Sequence, residues 1–278
     1  MVGAARWQQA PGIALAVDDL LALREQAAAP DTRRPATRRA GILPSRHAGS
    51  GMDLREIRAY VPGDDMRRMD PSATARTGKP HVRALHEDRD DVTLLIADFR
   101  APMLWGTGSC LRSVKGAAHL ASIGWRAVGR GGNVGLIVMG PGQAALLPPA
   151  GGDRQMALLC RMLADLHAQA LDAPADADHA LPQALGLAAR MVPAGAEVVL
   201  ATAPDGWQGA ETPLTRLARG RRLAVALILD PLDVMPPARA LPVQAGGQSL
   251  LTRLTPVDLS ELSASLMALG AEPRQVAP

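Results

Sequence analysis

Asp98 closes an apolar run from Val92 to Ala97 (Val-Thr-Leu-Leu-Ile-Ala). Such a run reads as a strand buried on both faces of a parallel sheet. In sheets of that kind ligands gather outside the carboxyl ends of the strands. A carboxylate there is costly unless it is paired, metal-bound or hydrated, which makes Asp98 a site candidate. The competing reading is a structural aspartate that caps the following loop. Other chemistry is weaker. Gly106-Thr107-Gly108-Ser109 with the later Lys115 misses the G-x-x-x-x-G-K-[ST] spacing of a phosphate loop. Gly129-Arg130-Gly131-Gly132 follows a helix and precedes a strand, the reverse of a dinucleotide fingerprint. There is no G-x-S-x-G, and no Ser or Thr occurs from Ile123 through Ala201, which removes most hydroxyl nucleophiles from the middle of the chain. His119 and His167 fall in helical stretches, where packing or a surface role explains them better than catalysis does. Cys110 and Cys160 stand far apart with no C-x-x-C and no Cys/His cluster, so neither zinc nor a redox pair is indicated.

The elements that must position Asp98 follow from hydrophobic period. After Val92–Ala97 a Gly-containing loop leads to a helix from Ser109 to about Arg130. Val134 to Met139 is a second buried strand, and Ala144 to Leu147, reached through Gly140-Pro141-Gly142, is its hairpin mate. Helices are predicted from Asp153 to about Ala168, His179 to Met191 and Glu211 to Arg219. Glu197 to Ala201 and Leu223 to Leu229 are further strands, and Val257 to Leu269 closes the chain as a helix. Strands alternating with helices over this length predict a doubly wound, mostly parallel α/β sheet with helices on both faces.

The amino-terminal part differs. Residues 18–29 read as a helix with Leu20, Leu21 and Leu23 on its stripe, capped by Asp18 or Asp19 and closed by Pro30. Residues 31–50 form an Arg/Pro-rich connector with Arg33-Arg34 and Arg38-Arg39. A nucleic-acid or acidic-lipid tether running from Arg33 to Arg46 is one reading of it; simple solvation is the favoured one. Residues 51–91 carry short extended pieces at Glu56–Val61 and His81–His86 around a type II turn at Pro62-Gly63. Residues 1–86 hold 14 cations against 9 acids, a net +5, and residues 87–278 hold 16 against 18, a net −2. The overall +3 therefore conceals a basic front and a slightly acidic body. Only six aromatic residues occur in 278, which argues against a base-stacking nucleic-acid reader. No apolar run approaches the roughly 20 residues that span a bilayer. The apolar stretch Gly12–Val17 is cut short by Asp18 and Asp19, so no signal-peptide core is read there, and a reduced, cytoplasmic setting is expected.

Residues 49–140 carry a resemblance. The string Gly51-Met52-Asp53-Leu54-Arg55-Glu56-Ile57-Arg58-Ala59-Tyr60-Val61-Pro62-Gly63-Asp64-Asp65-Met66-Arg67-Arg68-Met69-Asp70, followed by Thr74-Ala75-Arg76-Thr77, resembles the signature of the domain-of-unknown-function family 58. That family pairs an R-x-Y-x-x-G-D-D-x-R-x-I-D-W-type segment with a von Willebrand factor A-like domain. The likeness continues through Trp105-Gly106-Thr107, Lys115 and Val134–Met139. It implies a von Willebrand A-like body over 92–278 behind a signature segment at 51–91, no enzymatic activity, no cofactor, and association with a MoxR-type AAA+ ATPase as an adaptor or chaperone component. The family's D-x-S-x-S metal loop stands here as Asp98-Phe99-Arg100-Ala101-Pro102, and its later S-D as Thr202-Ala203, so by resemblance the metal site is degenerate and no specific divalent binding is expected. Arg100 either pairs with Asp98 in place of the metal or points to solvent; both readings stand at this point. Trp105 and Trp207, with Asp98 and Arg100, mark the expected protein-contact face. The signature residues Arg58, Tyr60, Gly63, Asp64, Asp65, Arg67, Asp70 and Arg76 read as a local ion-pair network rather than a catalytic cluster. The alternative from another class is an α/β hydrolase or nucleotide-binding enzyme using Asp98.

Overall fold

Strand β3 (Val92–Asp98) is buried at all seven positions, because helices cover both faces of the sheet to which it is central. A computed structural model of the chain describes residues 11–28, 54–62, 64–85, 91–140, 142–173, 180–245 and 248–278. Within them residues 1–30 with 91–278 form one unit and residues 31–90 a second.

In the first unit, β4 (Asn133–Met139), β5 (Ala145–Gly151), β6 (Glu197–Thr202), β7 (Arg222–Ile228) and β10 (Glu272–Val276) join β3 in a six-stranded sheet of order β10-β7-β6-β3-β4-β5. Only the β4–β5 pairing is antiparallel. The order runs outward from β3 in both directions, so the crossover helices fall on opposite faces. Period-2 alternation then sorts the apolar run. Leu95 and Ala97 point into a cluster with α1 (Val17–Ala28), α3 (Arg112–Gly129) and α4 (Asp153–Asp172) through Leu20, Leu120 and Leu159. Leu94 and Ile96 point into the other cluster, with α5 (Ala180–Met191), α6 (Glu211–Ala218) and α8 (Leu259–Ala268) through Leu181, Leu214 and Leu266. Prolines mark both edge strands, Pro148 and Pro149 on β5 and Pro273 on β10, where a missing ladder donor is tolerated.

Helix α1 packs against α3 and α4. Leu20 is 1% exposed, and Trp125 Nε1 of α3 donates to the Leu20 carbonyl at 3.0 Å. Full burial of one such leucine contributes about 2 kcal/mol.

The second unit is a two-stranded antiparallel pair, β1 (Leu54–Ala59) with β2 (His81–Leu85), joined through a 3₁₀ turn at Met66–Arg68 and α2 (Pro71–Thr77). Its signature acids have separate local duties. Asp64 receives both Nη groups of Arg58, at 2.8 and 2.6 Å, and these bonds hold its carboxyl below the usual carboxylate range. Asp65 caps the 3₁₀ turn by accepting from Arg67 N, and Asp70 caps α2 by accepting from Ala73 N at 2.8 Å. Pro71, where the family pattern has Trp, is the first residue of α2, a position suited to its fixed φ. Gly78 closes the helix with φ of 70°, which favours glycine. Arg76 lies in the last turn, where the dipole favours a cation. Tyr60 N donates to Pro80 O at 2.9 Å, which carries the pairing past β1. Gly63, the Arg33–Arg46 stretch and the rest of the 31–50 connector lie outside the described residues.

Several elements depart from the sequence expectation. The chain does not close as a helix: α8 is followed by β10, which runs parallel to β7 from Glu272↔Ala224 to Val276↔Ile228. Glu-Pro-Arg-Gln-Val lacks an apolar run because an edge strand is only half covered. A hairpin of β8 (Leu241–Ala245) and β9 (Gln248–Thr252), the helix α2 and the short α7 (Pro231–Val234) were likewise not expected. Among the described residues no helix is long and apolar enough to cross a membrane.

Candidate functional site

Asp98 ends β3 beside the ends of its two neighbours, 2% exposed. Both carboxylate oxygens are occupied. Oδ1 accepts from Arg100 N at 3.0 Å and Arg100 Nε at 2.9 Å, and Oδ2 accepts from Arg100 Nη2 at 2.7 Å and Thr202 Oγ1 at 2.6 Å. Arg100 Nη2 also donates to Gly206 O at 2.6 Å. The guanidinium thus lies over the end of the sheet and ties the loop after β3 to the loop after β6. Acid and guanidinium stand two positions apart, with Phe99 between them, and a turn places the arginine back over its own strand end. Bidentate charge-assisted pairing of this kind needs the planar fork of arginine.

Thr202 and Ala203 are both fully buried. A divalent ion needs several oxygen ligands, and this donor set does not fit one: the guanidinium engages both Asp98 oxygens and position 203 offers only a methyl. Among the described residues no group of three His, Cys, Asp or Glu side chains could hold a metal. Pro102 sits in the 3₁₀ turn Ala101–Met103, and its carbonyl accepts from Arg112 Nη1 at 3.3 Å.

A second set of contacts, not visible in the motif reading, fixes the rest of the loop. Asp230, just after β7, accepts from Thr107 N at 2.7 Å and from Thr107 Oγ1, and also caps α7 through Leu232 N at 3.0 Å. Burial raises its carboxyl, but the Thr107 hydroxyl and amide, the Leu232 amide and the Arg112 charge together hold it below the ordinary value. Thr107, the would-be phosphate-loop residue, therefore binds an internal carboxylate. Lys115 Nζ donates to Leu229 O at 3.3 Å, and so supports the end of β7. Arg112 Nη2 reaches both oxygens of Asp233 at 2.6 Å in a buried pair, and Trp105 lies 4.0 Å from the Arg112 guanidinium. Asp230-Pro231-Leu232-Asp233, with proline inside an acid-to-acid spacing of three, is the sequence signal for this short capped turn.

Trp207 is not a surface anchor. It is 4% exposed and belongs to the buried cluster with Leu200 and Leu214, because the tight turn at Ala203–Ala210 folds its ring inward. Trp105, at 38%, is exposed. The close turn also explains Gly206: a Cβ there would collide with Thr202 Oγ1. Gly206→Ala should cost about 2 kcal/mol by disturbing the Thr202–Asp98 bond, read as a lower denaturation midpoint. An unchanged midpoint would show that the loop can give way.

Ser113 Oγ and His167 Nε2 are 2.8 Å apart, the spacing of a nucleophile and its base. Ser113 and His167 are 0% and 1% exposed, and Phe99 packs edge-on against the imidazole at 5.1 Å. A substrate could reach this pair only by unpacking the core. Burial also pushes the imidazole down to about 4, which makes it a poor base near neutrality. His119 is likewise lowered, first by burial and then by the charges of Arg126 and Arg274.

The family model described as protein of unknown function DUF58 matches residues 56–243. The chain belongs to the DUF58 family. Uncharacterized proteins of Mycobacterium tuberculosis and Mycobacterium bovis are each 30% identical over 201 residues, covering 72% of this chain and 53% of the relative. The chain thus spans about half the length of the curated relatives it matches. Among solved structures it is similar to an aerotolerance-related membrane protein from Bacteroides fragilis, with TM-score 0.44, 17% identity and coverage of 67% of this chain and 91% of that one. It is also similar to the conserved hypothetical protein BatB from Bacteroides thetaiotaomicron, with TM-score 0.42, 18% identity and coverage of 66% and 89%. For the SpRpn10 VWA domain the TM-score is 0.41, the identity 13% and the coverage 68% and 88%. In this DUF58 chain the signature acids thus serve as caps and an ion pair, whereas the loops at the carboxyl end of the sheet hold the Asp98–Arg100 pair.

Proposed function

We propose that this DUF58 chain is a non-enzymatic protein-interaction module of von Willebrand A type, with a degenerate metal-dependent adhesion site in which Arg100 serves as a tethered cation. Its partner on this reading is a MoxR-type AAA+ ATPase, for which it acts as an adaptor or chaperone component in the cytoplasm. The observation that carries the reading is the closed Asp98 carboxylate, with Arg100 and Thr202 donating to both of its oxygens. A general base or metal ligand needs a free lone pair, and the four donors around Asp98 occupy both of its oxygens. What remains outward on this face is a set of loops that presents the exposed Trp105, and such aromatic residues are enriched where proteins meet.

Two measurements test this. Tagged protein purified from its native cell should bring down an AAA+ ATPase in stable proportion, whereas repeated recovery alone sinks the partner. Purified protein should show no thermal shift with Mg²⁺, Mn²⁺ or nucleotide, and Arg100→Ser combined with Ala203→Asp should gain a Mg²⁺-dependent one. A shift in the unmodified chain that Asp98→Ala abolishes would turn the assignment toward an enzyme or a metal-dependent binder.

A further inference from the structure

Between the loop after β3, the loop after β6 and the start of α8 lies a cleft of about 340 Å³, lined among others by Trp105, Arg112, Asp205, Asp233, Asp258 and Glu261. Its charges do not balance. Arg112 is the cation among these six, and Asp233 already holds it on both oxygens. Asp205, Asp258 and Glu261 are exposed, and none of them has an ion-pair partner among the described residues. Four carboxylates thus face one guanidinium, on a wall that also presents the half-exposed Trp105 ring. Arg112 is also held in an unusual way. The residue is 5% exposed, with Nη1 and Nη2 both bonded inside the protein, yet its buried Nε finds no acceptor among the described residues. An unmet donor on a buried guanidinium is unusual and wants a carbonyl or carboxylate acceptor.

We propose that this cleft is the docking groove for a basic, arginine-bearing segment of a partner protein. The incoming guanidinium stacks on Trp105 and pairs with Asp258 and Glu261. Arginine fits better than lysine because its planar head can stack on the ring and bind a carboxylate in the same geometry. An acidic peptide, a nucleic-acid backbone or an anionic membrane would instead meet three uncompensated carboxylates. The groove rests on the reading of this loop face as a contact surface, and adds to it the chemistry of what is bound.

Isothermal titration of the full chain with a blocked hexapeptide carrying two arginines tests the groove, with citrulline and glutamate counterparts of equal length as controls. The arginine peptide should bind at least about tenfold more tightly than the citrulline one, and its affinity should fall as salt rises. The pair Asp258→Asn and Glu261→Gln should weaken binding about tenfold. Asn still caps α8, and position 261 is exposed, so this variant keeps its fold. Trp105→Leu, a second and independent probe, should weaken binding about fivefold. Equal binding of the arginine and citrulline peptides, or unchanged affinity in both variants, overturns the groove. Recovery of an AAA+ partner by a chain that binds no arginine peptide also overturns it, and leaves the interaction reading standing. Selective arginine binding by a chain that recovers no protein partner supports the groove, and counts against the partner assignment alone.

Discussion

Arg100→Ala should lower the stability of the sheet unit by about 3 kcal/mol, because it leaves the Asp98 carboxylate buried without its cation. Asp98 is 2% exposed and would retain only Thr202 Oγ1 and the backbone N–H of residue 100 as donors. The figure is set at the low end of the range for broken buried pairs, since the Arg100 side chain is 13% exposed and water can reach part of the vacated space. For a unit of this size the loss corresponds to a fall in Tm of roughly 6–12 °C. The double variant Asp98→Asn with Arg100→Leu should recover more than half of it, since it removes both charges together. Urea denaturation of the three proteins decides the matter. A loss below about 1 kcal/mol in Arg100→Ala would mean that the pair behaves as an exposed one, and the tethered-cation reading would fail.

Acidification from pH 7.5 to 4.5 should remove about 2 to 3 kcal/mol through His167 alone. The sign follows from where the proton binds. The folded imidazole titrates near 4 because it is buried, against 6.5 for the free side chain. Above 6.5 both states are neutral and the group has no effect. Between 6.5 and 4 the unfolded chain takes up a proton that the folded chain refuses, so stability falls as pH falls. Below about 4 both states are charged and the loss is complete. His119 acts in the same direction, so the quantity to compare is the difference in slope between the unmodified protein and His167→Gln. The variant loses some stability at pH 7.5 but should have a visibly flatter profile. Parallel profiles would show that His167 is protonated within the core, and would remove the argument that it cannot act as a base.

Not all of the site was legible in the chain. Asp98 was, because a carboxylate at the end of Val92–Ala97 is an anomaly visible in one dimension. Arg100 was legible as a residue but not as a contact. Two residues beyond a strand it could equally face solvent, and the Gly206 carbonyl that also holds it is 106 positions away. The Asp230–Thr107 and Arg112–Asp233 contacts span 123 and 121 positions, and neither residue type announces them. The burial of Trp207 is hidden from the sequence for a related reason. Large rings on loops are common at interfaces, and only the path of the Ala203–Ala210 turn shows that this one points inward. Strand β10 lay below the threshold of pattern reading, since Glu-Pro-Arg-Gln-Val pairs through its backbone with β7 while its side chains stay half exposed.

The α/β class, the positions of the central strands and helices, the family signature and the acid at the end of β3 are all readable along the chain. These are carried by local period and composition, which act over a few neighbouring residues. Folding in three dimensions sets the Arg100 guanidinium on the acid, makes one tryptophan of the loop face core and the other surface, and gathers in one cleft three acids that have no ion-pair partner among the described residues. Those outcomes depend on which loops the strand order brings together, and pairing energies between residues more than a hundred positions apart leave no periodic trace in the chain.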